Sequence, residues 1–142
     1  MIIGKGEKGQ KDEKELEQYI KSKKSAPHII RISGVKSTEK FYSAFDIFAM
    51  TSLYEGLPVV AIEAQASGIP TILSKNIDPS VIYSDKVNLL PIDKGSKPWV
   101  REFVSWKNKD FDRNFKGNSN YNINVQYQKL FDWYSSWLKK YK

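Results

Sequence analysis

The stretch "SLYEGLPVVAIEAQASGIP", residues 52–70, holds two glutamates, Glu55 and Glu63, eight positions apart. Glu55 stands in a turn. Glu63 stands in a run that is otherwise almost wholly apolar: Val59, Val60, Ala61 and Ile62 before it, Ala64 and Ala66 after it. A buried carboxylate without partners costs several kcal/mol or takes up a proton. Hydroxyl groups are suitable partners, because one carboxylate accepts two of them and so holds the vicinal diol of a ribose or a hexose. The bland alternatives are that Glu63 snorkels or pairs with a lysine such as Lys36 or Lys75, and that Glu55 is a plain turn residue. Spacing alone leaves both readings open.

The elements around the pair give it a place. "DIFAMTS" reads as a strand, "LYEG" as a turn, and a helix follows near Pro58, whose missing N–H suits a first helical turn. Gly68 is placed to stop that helix, with Pro70 just beyond. Upstream, "MIIG" and "HIIRIS" read as strands, with the helix "KDEKELEQYIKSKK" between them. The stretch "GVKSTEKFYSAF" offers Ser37 as the cap of a short helix. Downstream, "PTIL" and "VNLLPI" read as two further strands. Strands alternating with helices, each strand apolar throughout, predict a doubly wound parallel α/β sheet covered on both faces. In such sheets the ligand crevice lies at the carboxyl ends of the strands. The helix after Pro58 therefore aims its N-terminus at the crevice, where N–H groups and the dipole favour a phosphate. Glu63 would lie about two turns inside it. Two carboxylates about such a tip suit a nucleotide-sugar.

The chain has 142 residues and a net charge of +7, with no cysteine and one histidine, His28, beside Pro27 at a strand start. Disulfides, thiolate metal sites and a histidine-built zinc site are excluded. Residues 1–93 carry 12 basic and 12 acidic side chains, and residues 94–142 carry 11 and 4, so the surplus sits in the last third. Such a region attracts acidic surfaces. After Pro98, "WVREFVSWK" reads as a helix, with Trp99 and Trp106 placed to bury against the sheet. "NKDFDRNFKGNSNYN" reads as a long polar loop, and Asp110 and Asp112 in it as solvated surface. From Ile123 onward a helix is predicted by steps of three and four through Tyr127, Leu130, Phe131, Tyr134, Trp137, Leu138 and Tyr141. The turn "GKGEKG" matches G-x-G-x-x-G at Gly4, Gly6 and Gly9. No acid follows where a dinucleotide site needs one, so it reads as a solvated turn.

The segment "SLYEGLPVVAIEAQASGIPTILS" resembles the E-x7-E region of the retaining, GT-B fold glycosyltransferases of group 1 (GT4). "IIGKGE" and "IRISGVKSTEKFYSAFDIFAMTS" extend the resemblance over about residues 1–74. It implies a Rossmann-like, donor-binding half-enzyme, incomplete at its N-terminus. Residues 1–98 would form a partial nucleotide-sugar-binding domain and residues 99–142 a helical extension of it. Glu63 would bind the ribose of a UDP- or GDP-linked sugar. Glu55, the catalytic acid of the pair, would meet the sugar hydroxyls. Gly56, Leu57 and Pro58 would line the sugar and diphosphate. No cofactor or metal is implied, since the helix dipole and basic side chains stabilise the leaving diphosphate. The family's acceptor-binding domain and the Arg and Lys of its first donor-domain unit have no counterpart in these residues. The chain thus looks like a fragment, or the product of a truncated or split gene, inactive by itself.

Polysaccharide synthesis in the cytoplasm is the implied setting, with the inner membrane face as an alternative placing. The C-terminal aromatic stripe reads first as packing. In the family the last helix tends to cross toward the N-terminal domain, but aromatics beside Lys139, Lys140 and Lys142 also suit a peripheral membrane contact. Two other classes are weighed: a non-catalytic α/β binding module, and a basic nucleic-acid-binding domain. The first lacks acids at strand ends, since Asp46 begins its strand. The second lacks aromatics interleaved with arginine.

Overall fold

The computed structural model describes residues 1–4, 10–107, 109–115 and 117–141. The chain is a mixed α/β protein with parallel sheets, in two compact units divided between Thr38 and Glu39. In the first unit β1 (Ile2–Ile3) pairs in parallel with β2 (Arg31–Ile32), and α1 (Gln10–Lys21) lies between them in sequence. The Arg31 guanidinium reaches Glu13 at 3.1 Å and Glu17 at 2.9 Å. Those acids are four apart, hence neighbours on one face of α1, so one cation ties strand to helix. The strand expected at "HIIRIS" is shorter than its apolar run. His28 is not at a strand start but closes a 3-10 turn, Ala26–His28, where Pro27 holds a φ that suits the turn. Of the glycine-rich turn, Gly6 and Gly9 fall outside the described residues.

The second unit is built on three parallel strands in the order β3 (Phe48–Met50), β4 (Thr71–Ser74), β5 (Val87–Leu90). Central β4 is fully buried along its whole length, which is why "PTIL" shows no polar alternation. The short α2 (Glu39–Tyr42) precedes β3, and α3 (Val59–Ala66) connects β3 to β4. Ala61 of α3 packs with Leu73, Ile77 and Val81, and Ala64 packs with Tyr42 and Ile69. The alanines let the helix approach the sheet closely. A 3-10 turn, Pro79–Val81, follows β4. It is opened by Asp78, whose carboxylate accepts the Ser80 N–H at 2.8 Å, a bond that holds the carboxyl below its ordinary pKa.

Beyond β5 come α4 (Lys97–Lys107) and α5 (Ile123–Lys140). Trp99 is buried, and its indole N–H donates to the Pro91 carbonyl at 3.0 Å. Trp106 is half-buried and meets Phe111 edge-on.

The polar segment between α4 and α5 is a loop, as its composition predicts, yet it is tied down at several points. Arg113 donates to the carbonyls of Ser43 at 3.1 Å and Phe45 at 2.8 Å. The Lys86 ammonium donates to the carbonyls of Gly68, Asp112 and Asn114. Asp110 and Asp112 are exposed, and an Asp112 carboxylate oxygen accepts the Asn114 N–H.

Gly68 ends α3 with φ of +71°, and a Cβ there would collide with the Arg113 carbonyl. Gly68→Ala must therefore strain the backbone and displace the loop. The expected loss is about 3 kcal/mol of stability, read as a lower urea midpoint at unchanged slope.

Candidate functional site

The site forms where β3 and β4 end. After Met50 the chain turns outward, and Leu53 and Tyr54 are strongly exposed at its tip. The turn is pinned from the β4 side. Asn76 donates its amide to the Leu53 carbonyl at 2.9 Å, the Asp78 N–H donates to the Glu55 carbonyl at 3.3 Å, and Glu55 bridges Ile77 in parallel. The loop following the neighbouring strand thus fixes where Glu55 stands. Its side chain is half-buried, and Oε1 accepts the Ser52 hydroxyl at 3.0 Å.

Gly56 and Leu57 are exposed and Pro58 is buried. Pro58 is the cap of α3 rather than its first helical residue, with extended backbone angles. Its carbonyl accepts the Ala61 N–H at 3.0 Å and the Ile62 N–H at 3.4 Å. The first N–H groups of the helix precede its ladder of bonds and point outward from the tip. Glu63 is the fifth residue of α3. It lies just over one turn from the tip, nearer than the two turns expected.

Glu63 is half-buried, and its Oε2 accepts the hydroxyl of Tyr42 at 2.8 Å. Tyr42 is 3% exposed and lies in T-shaped contact with Phe45. Its hydroxyl also approaches the Val60 carbonyl at 3.2 Å. The phenol therefore has one place to stand, and it orients the carboxylate. The sequence reading proposes lysines as ordinary partners for Glu63 and does not single out this tyrosine, twenty-one positions upstream. The signal available was a tyrosine closing the short helix Glu39–Tyr42.

Gln65, which carries no expectation from the sequence, is fully buried with every polar valence used. Its amide donates to the carbonyls of Ala61 at 3.0 Å and Val81 at 2.9 Å. Its oxygen accepts the N–H groups of Tyr83 at 3.0 Å and Ser84 at 3.2 Å. It locks α3, and with it Glu63, to the chain leading into β5. Tyr83 adds a second tie, its hydroxyl donating to the Ile62 carbonyl at 2.8 Å. Burial, and then the nearby Tyr121, push the Tyr83 hydroxyl above the ordinary tyrosine pKa.

A cleft of about 350 Å³ opens elsewhere, by Ala66 at the far end of α3, lined by Tyr83, Phe115, Asn118 and Tyr121. Its lining residues carry no formal charge, and neither Glu55 nor Glu63 is among them. Among the described residues no three His, Asp or Glu side chains gather as a metal site would need.

The parallel α/β architecture is the one the sequence resemblance implies, and the chain belongs to the family of glycosyl transferases group 1, whose profile matches residues 1–109. Two relatives are similar to it over about half of its length. EpsF of Bacillus subtilis (strain 168), named as a glycosyltransferase, is 39% identical over 67 residues, which are 47% of this chain and 17% of EpsF. The amylovoran biosynthesis glycosyltransferase AmsD of Erwinia amylovora is 36% identical over 72 residues, 51% of this chain and 19% of AmsD. The matched stretch thus spans less than a fifth of either relative. No solved structure matches the chain significantly.

Proposed function

We propose that the chain is the donor-binding part of a retaining glycosyltransferase that takes a UDP- or GDP-linked sugar and serves surface polysaccharide synthesis. The observation that carries this reading is the pair of acids each held by a hydroxyl, Glu55 by Ser52 just before α3 and Glu63 by Tyr42 within it. In this reading Glu63 accepts the ribose hydroxyls and Glu55 those of the transferred sugar. The N–H groups of Gly56 and Leu57 and the helix dipole meet the diphosphate and stabilise its charge as it leaves. The acceptor hydroxyl replaces the diphosphate at the anomeric carbon on the same face, and its proton passes to the leaving phosphate oxygen. Membership of a transferase family and the printed name of AmsD support the class of reaction and the pathway. The acceptor side is assigned to a domain outside residues 1–142, so the chain by itself binds donor and does not turn it over.

Titration of the 142-residue chain with UDP, GDP and their sugars, followed by NMR, tests this directly. Weak binding is expected, with shifts concentrated in residues 52–63. Shifts confined to the cleft by Tyr83 and Tyr121, or no shifts with any donor, would sink the proposal. A second arm uses Gly56. A Cβ there meets nothing within 4 Å in the protein itself, so Gly56→Ala is expected to keep full stability. It should weaken donor binding on the order of tenfold by crowding the diphosphate. Unchanged affinity in that variant would remove Gly56 from the donor site.

A further inference from the structure

None of the residues of α5 is buried, but the aromatics just before it pack closely, and they wall the cleft beside Ala66. Phe115 and Tyr121 stand against the buried ring of Tyr83, with ring centroids at 5.1 Å and 4.9 Å. Both phenols are anchored, Tyr83 to the Ile62 carbonyl at 2.8 Å and Tyr121 to the Ser80 carbonyl at 2.8 Å, so these rings are held in place. At Gly117 a Cβ would collide with the Tyr83 carbonyl and the Phe115 ring, so only glycine lets this wall approach. The Asn118 N–H donates to the same Tyr83 carbonyl at 3.0 Å.

The polar groups at the rim are mostly donors. Asn118 and Asn122 each spend the side-chain oxygen on the chain itself, accepting the N–H of Asn120 at 2.9 Å and of Asn124 at 3.0 Å. That fixes both amides, and their NH2 groups donate to no other described residue. Ser119 adds a hydroxyl, and Phe115 adds an exposed aromatic face. A matching ligand must be neutral, rich in acceptor oxygens and apolar on one side. A nucleoside diphosphate fails the first condition. A peptide strand brings as many N–H donors as acceptors, and the amide oxygens here are already taken. A pyranose meets all three conditions: its hydroxyl and ring oxygens accept, and its weakly positive C–H face lies on the negative face of an aromatic ring. The volume of about 350 Å³ is at the low end for small-molecule sites, about 300–1,000 Å³, with room for about one or two sugar units.

We propose that this cleft is a binding site for a neutral saccharide, separate from the acid pair. Phe115 stacks on the sugar, the amides of Asn118 and Asn122 donate to its oxygens, and the small side chain of Ala66 leaves room for it. The site stands at the end of α3 opposite to the tip, about 10 Å along the helix. It holds a sugar without reacting with it, and it does not rest on the donor reading.

The test is NMR titration of the 142-residue chain with glucose, galactose, N-acetylglucosamine and cellobiose, up to about 50 mM, beside glycerol, glucuronate and UDP. At least one neutral sugar is expected to shift the backbone amides of residues 117–122 and the side-chain amides of Asn118 and Asn122, with a Kd of about 1–10 mM. Glycerol and glucuronate should leave those signals in place. Ala66→Leu puts a larger side chain, of a type that favours helix, into the cleft. It should weaken sugar binding by ~10-fold or more. Asn118→Ser/Asn122→Ser keeps an oxygen for each turn and removes both amide donors, which should also cost ~10-fold or more. Urea midpoints equal to the parent's show that both variants fold. No sugar-dependent shift at these residues, equal shifts with glycerol, or parent-like affinity in either folded variant overturns the assignment. So does displacement of the sugar by UDP, which would make the cleft a nucleotide site. Sugar binding here without UDP shifts in residues 52–63 would leave the cleft standing and the donor reading fallen.

Discussion

Gln65→Leu is expected to cost the protein more than any other single substitution proposed for it, on the order of 4 kcal/mol. The substitution is close in volume and apolar, so burial by itself argues for tolerance. The four bonds decide otherwise. Two N–H groups, of Tyr83 and Ser84, and two carbonyls, of Ala61 and Val81, lose the Gln65 amide, all of them buried except the half-buried Ser84 bond. A buried donor left unmade costs about 1–3 kcal/mol; Tyr83 is such a donor, and the half-buried Ser84 N–H and the two acceptors add to its loss. Against a total stability of about 5–15 kcal/mol, the variant should unfold at a much lower urea concentration. Gln65→Glu is the control. It keeps the acceptor, loses the donor and brings a charge into a closed site, so it too should destabilise. A leucine variant within about 1 kcal/mol of the parent would show that the segment before β5 finds other partners.

Glu63→Ala should remove donor binding. A carboxylate that accepts two hydroxyls contributes two charge-assisted bonds of about 1.5 kcal/mol or more each, so affinity should fall on the order of 100-fold, at or below detection for a weakly binding chain. Tyr42→Phe separates the role of the acid from that of its support. It leaves the carboxylate in place and removes the 2.8 Å bond that orients it. Binding should weaken by about tenfold rather than vanish, with a fold stability close to the parent, since the ring packing survives. Isothermal titration with the nucleotide-sugar that gives the largest NMR shifts measures both variants. Equal affinity in the parent and the alanine variant would remove Glu63 from the site. Equal affinity in the phenylalanine variant would reduce Tyr42 to a packing residue.

Local chemistry made much of this legible. Pro58 and Gly68 bracket α3 because each imposes its own backbone angles, and the three strands of the second unit show as short, mostly apolar runs, with Asn88 the polar interruption in β5. Glu63 stands out because an acid in an apolar helix needs a reason. Its partner was not legible, because Tyr42 reaches it across the packing of α2 on α3. Gln65 escaped notice for a similar reason: a glutamine in a helix is ordinary until Val81, Tyr83 and Ser84, sixteen to nineteen positions away, close around it. The polar loop is irregular, as its composition implies, yet nothing in its asparagines marks the backbone carbonyls by which Arg113 and Lys86 hold it. His28 was misplaced because Pro27 outweighs the apolar run that follows. The aromatic periodicity of α5 identified the helix but not what it faces, since a core stripe and an exposed one share the same spacing.

The grip of Arg113 on Ser43 and Phe45 joins points 70 and 68 positions apart. During synthesis at about 5–20 residues per second, roughly 4–14 s separate the making of its two halves. Through that interval the turn between α2 and β3 exists without its guanidinium, and Gly68 lacks the Arg113 carbonyl that packs against it. A nascent chain ending before residue 113 leaves the carbonyls of Ser43 and Phe45 without this donor.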